Sequence, residues 1–271
     1  MKRKVLKYVI MGTLSALIAT YLLCSHEEEG KPRDYKEIVA SGVLNVTTEY
    51  NSVSYHIEND TLSGFHYELI QAFAKEKGLR LHITPEMNLE KQINGVNHGI
   101  YDVIAHSILV TSESKDSPLS FTHPILLNKQ VLVQRSKEKS DTAFVHNQLE
   151  LAGKTVYIPH HSPISYRIHN LSKEIGDTII VKEIEKYSIE QLMALVAHGD
   201  IDYAVCEAGV AQASLSDFPQ LDISTEISFN QFYAWGVSKQ SPMLLDTLNH
   251  WLRLFMQSKT YMILLQKYQK N

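Results

Sequence analysis

The chain has 271 residues, 44% hydrophobic and 21% charged, with a formal net charge of −4, which gives room for one large or two modest domains around a substantial core. Four basic residues (Lys2, Arg3, Lys4, Lys7) and no acidic ones precede position 24, so the remainder carries 22 basic against 30 acidic side chains, a formal −8. Nucleic acid is thereby excluded as a partner, because phosphate recognition needs clustered Lys and Arg to displace counterions.

Residues 1–25 read as an export signal or anchor: a basic start, an uncharged run from Tyr8 to Ser25, then the polar His26-Glu27-Glu28-Glu29-Gly30. Cys24 closes the run as the lipidated cysteine of a bacterial lipoprotein does, with Leu23 where a small residue is usual. At 18 residues the run also reaches the lower edge of a membrane span. An uncleaved anchor is therefore the rival reading, and plain cleavage a third. All three place the chain in the bacterial envelope, periplasmic or surface-exposed, and the first two hold it to the membrane by its N-terminus. With Cys24 lipidated, Cys206 has no partner and no structural disulfide is expected.

Residues 26–40, charged and punctuated by Pro32, form a tether running into a helix start around Asp34 to Ala40. Leu44 to Thr48 is a first strand, and Glu49 to Ser63 is turn chemistry holding two aromatics, Tyr50 and Tyr55. Gly64 opens a helix with Phe65, Leu69, Phe73 and Ala74 on one buried stripe, and Leu79, Leu81 and Ile83 alternate as a half-buried strand. Asn88 caps the next helix and Gly99 closes it. A strand over 102–105, a helix start at Thr111 to Ser114 and an apolar crossing strand near Val131 to Arg135 follow. The second half repeats this grammar. Lys154 to Ile158 and Thr178 to Val181 are strands, Ser162-Pro163 starts a helix, and Ser188 with Gln191 makes a capping box. Phe232 to Val237 is a strand; Ser241-Pro242 caps a helix and a last one gathers Tyr261, Leu264, Leu265 and Tyr268. These C-terminal helices are expected to cover the first sheet.

One segment recurs one hundred positions later: His98-Gly99 with Asp102 returns as His198-Gly199 with Asp202. In each copy a helix is closed by glycine and a short β-branched strand follows. Those strands end at Ser107 and Glu207, and ligands of open α/β sheets sit beyond the carboxyl ends of strands. Two lobes facing each other across a cleft are expected. Glu207 reads either as a carboxylate at a helix N-terminus or as an anchor for a ligand's cation. Tyr50 and Tyr55 read either as a stacking surface for a ligand or as loop aromatics packed on the core. Among thirteen histidines none shows His-x3-His or HExxH spacing, and there is no GxSxG, P-loop or GxGxxG. Neither a metal nor another cofactor is expected.

Ser41-Gly42-Val43-Leu44-Asn45-Val46, Gly64-Phe65-His66-Tyr67-Glu68-Leu69, Gly99-Ile100-Tyr101-Asp102-Val103-Ile104, Thr111-Ser112-Glu113, Leu119-Ser120-Phe121-Thr122-His123-Pro124 and Gly199-Asp200-Ile201-Asp202-Tyr203 stand in this order. In these the chain resembles the family-3 extracellular solute-binding proteins, and within them the non-catalytic binding domain of membrane-bound lytic murein transglycosylases. The resemblance covers about residues 41–271. It implies an α/β type II periplasmic-binding-protein fold, two α/β lobes joined by two crossover strands. Residues 41–133 with 229–271 would form a discontinuous lobe 1, and 134–228 lobe 2. It also implies a ligand site: Tyr50 and Tyr55 as an aromatic wall, Ser107, Leu109 and Thr111 as lobe 1 contacts, His161 and Ser162 as the lobe 2 loop, and Glu207 as ammonium anchor. At Ser114 the family carries the arginine that grips an α-carboxylate, which points to a ligand with an amine but no free α-carboxylate unless Lys115 or Arg167 reaches in.

The expected function is therefore non-enzymatic: an envelope binding protein closing on a small amine-bearing solute, an amino-acid derivative, peptide or cell-wall fragment, for import by an ABC transporter or for sensing. The alternatives are a protein-interaction module without a small ligand, and a dehydratase-like enzyme on the same fold. Murein cleavage is not expected, because a catalytic domain would have to begin after Tyr268.

Overall fold

The structure is a computed structural model that describes residues 30–110, 117–139, 144–160, 162–185 and 187–268; Pro32 onward forms one compact unit. Its first sheet runs in the order β4 (Arg80–Pro85), β1 (Val43–Thr48), β5 (Val103–Leu109), β13 (Gln231–Ser238), β6 (Leu119–Phe121), with β7 (Leu126–Asn128) also on β13. β1 is parallel to β4 and β5, whereas β13 is antiparallel to its neighbours. The second sheet has the same plan: β10 (Ile180–Ile184), β9 (Thr155–Pro159) and β11 (Ala204–Glu207) are parallel, and β8 (Gln130–Arg135) runs antiparallel between β11 and β12 (Leu221–Asp222). A small hairpin, β2 (His56–Glu58) with β3 (Thr61–Ser63), stands apart from both.

Period-2 alternation assigns the two faces of each sheet. On β5, Val103, Ala105 and Leu109 join the core formed with Phe65, Leu69 and Phe73 of α2 (Phe65–Glu76), while Ile104 and Ile108 pack with Val96 of α3 (Leu89–Asn97). On β8, Leu132 faces one layer of the second lobe with Ile168 of α4 (Ile164–Ile175), and Val131 and Val133 face the other with Leu192 and Val196 of α5 (Ile189–His198). Leu244, Leu248, Trp251 and Leu252 of α7 (Pro242–Phe255), with Tyr261 and Leu264 of α8 (Lys259–Tyr268), lie in the first-sheet core. Among the described residues no helix is long and apolar enough to cross a membrane.

The repeated segments have a structural meaning. Gly99 and Gly199 take φ of 72° and 88°, conformations that admit glycine readily, and each terminates its helix. His98 and His198 each bond the carbonyl four residues back at 2.7 Å. Asp102 accepts from the backbone N–H of Asn45 at 2.7 Å and from Arg33 Nε at 3.0 Å; Asp202 accepts from Arg135 Nη2 at 2.9 Å. Arg135 also donates to the carbonyls of Val196 and Ile201. Both repeat aspartates therefore meet an arginine that ties a strand start to the rest of its lobe.

Three expectations change. The chain passes from the first sheet to the second between Asn128 and Gln130, ahead of position 133, because all of β8 pairs with β11 and β12. Ser241 sits at the N-cap of α7 but gives it no side-chain bond, its hydroxyl donating to Arg33 O instead. Asp34 supplies that cap from a distance: while capping α1 (Tyr35–Ser41), its carboxylate also accepts from the N–H groups of Met243 and Leu244. Arg167 is committed elsewhere, donating to Ile227 O and Glu174.

Removing Arg33 strands the fully enclosed Asp102 carboxylate. Arg33→Ala is expected to cost about 3 kcal/mol in chemical denaturation, and adding Asp102→Asn, which still accepts from Asn45, should recover part of it. A loss within about 0.5 kcal/mol of wild type would remove this pair from the account of the fold.

Candidate functional site

The carboxyl ends of β5 and β11 meet between the lobes. Ser107 Oγ donates to Glu207 Oε1 at 3.3 Å, and Asn128 Nδ2 at the end of β7 donates to the same oxygen at 2.7 Å. The loop after β1 adds a third bridge, from Ser52 N–H to Glu190 Oε1 at 2.8 Å. Val210 of α6 (Ala208–Ser214) joins the first-lobe core, and Ile189 packs against it. A β-carbon on Gly209 would lie 3.0 Å from Asn128 Nδ2 and press on the amide that donates to Glu207.

Behind these contacts lies a cavity with about 130 Å³ of room for water centres. Lobe 1 lines it with Glu49, Asn51, His106, Ser107 and Leu109; lobe 2 lines it with Ser162, Cys206 and Glu207. No lysine or arginine is among the described lining residues.

Glu207 occupies the N-cap of α6, yet its side chain makes no capping bond and reaches across to lobe 1 instead. Burial pushes its carboxyl up to about 7 and the negative charge of Glu49 pushes the same way, against the hydrogen bonds from Asn128 and Ser107. Burial likewise pushes the Cys206 thiol upward, so it is a neutral wall.

Of the residues expected to bind ligand, Ser107, Leu109, Ser162 and Glu207 line this one cavity. Tyr50 and Tyr55 do not. Asn51 Oδ1 accepts from the N–H groups of Val53 and Ser54, a tight turn that sends Asn51, Val53 and Ser54 to the cavity. The Tyr55 ring is left edge-on between Tyr50 (6.1 Å) and Tyr67 (5.6 Å), with Tyr50 exposed. Thr111, Ser114 and His161, with Lys115 and the proposed lipidation site Cys24, lie outside the described residues.

The sequence did not single out Asn128, Glu49 or His106. Gln92 Nε2 donates to Glu86 O, so its Oε1 must accept from His106 Nε2 (2.7 Å). His106 Nδ1 then faces Glu49 Oε1 at 3.7 Å without a hydrogen-bond partner. Only the alternation of β5, which turns residue 106 away from 105 and 107, was available to place it.

The Glu207 carboxyl binds more protons folded than unfolded between its ordinary 4.5 and about 7, so its contribution to stability falls as pH rises through that window. Glu207→Gln keeps an acceptor for Asn128 and Ser107. It is expected to melt above wild type at pH 8, with the difference vanishing near pH 4.5. Equal melting temperatures at pH 8 would show that this carboxylate ionises without cost.

The chain matches the family of bacterial extracellular solute-binding proteins, family 3, over residues 43–271. Membrane-bound lytic murein transglycosylase F of Cellvibrio japonicus is 28% identical over 205 residues, 76% of this chain and 40% of that protein. The chain thus spans well under two thirds of the length of such a relative. A crystal structure of a mutant of ArgBP from T. maritima superposes with a TM-score of 0.74 at 26% identity, covering 87% of this chain and 99% of that one. The arginine-bound form of truncated ArgBP from T. maritima gives 0.70 at 25%, covering 81% and 99%. The two sheets exchanging β8 and β13 are the type II periplasmic-binding-protein fold of these structures, and the chain belongs to the bacterial extracellular solute-binding proteins, family 3.

Proposed function

We propose that this protein is an envelope binding protein whose lobes close on a small ligand carrying an amine cation, with the Glu207 carboxylate as counter-ion, and that it binds without turning the ligand over. One observation carries the reading: a carboxylate is buried between the lobes, with Glu49 beside it and no lysine or arginine among the described lining residues. A buried charge without an opposite partner is costly, and an entering ammonium removes that cost. The arginine-bound form of ArgBP supports a cationic ligand, and the name of the murein transglycosylase relatives supports trying amine-bearing cell-wall peptides. Ser114, where the family carries its carboxylate-gripping arginine, favours ligands whose α-carboxylate is absent or masked. Residues 1–25 are proposed to hold the protein at the membrane, through a lipid on Cys24 or as an uncleaved anchor. Unchanged membrane association and mobility in Cys24→Ala would decide for the anchor. Delivery to an ABC importer and signalling to an envelope partner both fit such a tethered receptor.

Titration calorimetry with arginine, arginine amide, lysine-containing dipeptides and amine-bearing muropeptides tests the binding. The carboxylate-masked amines are expected to bind more tightly than the free amino acids. At pH 7 a cation bound to ionised Glu207 should release about half a proton, seen as a dependence of the measured heat on the buffer. Glu207→Gln should weaken binding by roughly one to two decades. If no amine binds, while an envelope protein captured by this chain still binds Glu207→Gln equally well, the protein-interaction reading replaces this one.

A further inference from the structure

The first turn of α2 and the middle of β13 place two buried side chains behind Ser107 for which neither the resemblance nor the cavity gives a role. Trp235 Nε1 donates to His66 Nδ1 at 3.0 Å, and His66 Nε2 lies 3.0 Å from Ser107 Oγ. Trp235 and His66 are 0% and 1% exposed, so no water competes for the bond between them. An indole nitrogen can only donate, which makes His66 Nδ1 the acceptor and puts the imidazole proton on Nε2. Burial holds the His66 ring well below its ordinary range, at about 3, so it stays neutral. His66 Nε2–H therefore donates to Ser107 Oγ. A hydroxyl has one proton and two lone pairs, and with one lone pair taken by His66 the proton goes forward to Glu207 Oε1.

We propose that His66 is a positioning residue: by donating into Ser107 Oγ it commits the serine proton to the Glu207 carboxylate. With Glu207 ionised, Ser107 and Glu207 then present only acceptor atoms to the cavity and select an N–H donor. Without His66 the hydroxyl is no longer held through one lone pair and can turn its proton away from Glu207 toward the cavity, so the pair would serve an acceptor-bearing ligand as well. The direction of the chain Trp235 to His66 to Ser107 to Glu207 is fixed at its closed end by a donor that cannot reverse. The groups that act on Glu207 are Glu49 from the loop after β1, Asn128 from β7, Cys206 beneath it on β11 and Tyr233 on β13; His106 and His160 also line the cavity, and His106 acts electrostatically on His66. None of these touches His66 through a hydrogen bond in the chain described.

The assignment rests on the proposed role of Glu207, but its test needs no ligand, so weak amine binding would sink that role and leave this one standing. The midpoint of Glu207 is read from the pH at which each protein's melting temperature departs from that of its own Glu207→Gln partner. His66→Phe alone leaves the Trp235 donor orphaned, so the informative variant is His66→Phe with Trp235→Phe. Its midpoint is expected to rise by about half a pH unit or more, a roughly threefold or greater change in the protonation equilibrium. Ser107→Ala should shift the midpoint the same way, and the triple variant should shift it no further than Ser107→Ala alone, since both changes cut one chain. His66→Gln, which retains an N–H toward Ser107, should return most of the wild-type midpoint. A midpoint within about 0.2 unit of wild type in the double variant, or additive shifts in the triple, would reduce His66 to core packing.

Discussion

β8 carries the chain out of the first lobe and runs antiparallel beside β11, and β13 brings it back to run antiparallel beside β5. The register of these two pairings decides what meets in the cleft. Glu207 is opposite Gln130, the first residue of β8, and Leu109 is opposite Tyr233, near the start of β13. Each parallel strand that ends at the site is thus paired, at its last residue, with the start of the strand that has just crossed. A slip of one residue in either pairing would turn Ser107 or Glu207 to the opposite face of its sheet. Two short crossings are also all that joins the lobes covalently, which is the geometry that permits hinge closure in such folds.

Electrostatics sharpens what the topology brings together. Glu207 stands where a helix dipole would welcome a carboxylate, but its side chain leaves the helix end and takes donors from the opposite lobe. The contact between lobes therefore includes an ionisable group whose protonation state is balanced near neutrality by burial on one side and hydrogen bonds on the other. Glu49 tilts the balance toward the protonated form. A cation in the cavity would tilt it back, so ligand charge and lobe contact act through the same oxygen atoms.

What could be seen in the sequence was local. The Ser188–Gln191 capping box, the Asn88 cap and the glycine ends at 99 and 199 each depend on residues within one turn, and the structure has all of them. The repeated His-Gly-x-x-Asp segment went further, because a repeat carries topology, and it pointed to Ser107 and Glu207 as opposed strand ends. What escaped depends on partners far apart in the chain. Asp34 caps a helix 210 residues away, His66 bonds Trp235 across 169 residues and Asn128 bonds Glu207 across 79. Between the two readings of Tyr50 and Tyr55 a local effect of another kind bears: the Asn51 turn sends Asn51, Val53 and Ser54 to the cavity, which aromatic content alone does not reveal.

The same repeat shows how a symmetric frame comes to hold an asymmetric site. Asp102 and Asp202 do equivalent work, each tied to an arginine, and His98 and His198 close equivalent helix ends. Five residues beyond each aspartate the copies part: one ends in a hydroxyl and the other in a carboxylate. Two carboxylates at that distance would repel and share a proton, and two hydroxyls would offer a ligand no charge. A hydroxyl against a carboxylate satisfies both at 3.3 Å while leaving the negative charge in place. The frame keeps the aspartates alike, while residues 107 and 207 differ and make the cleft asymmetric.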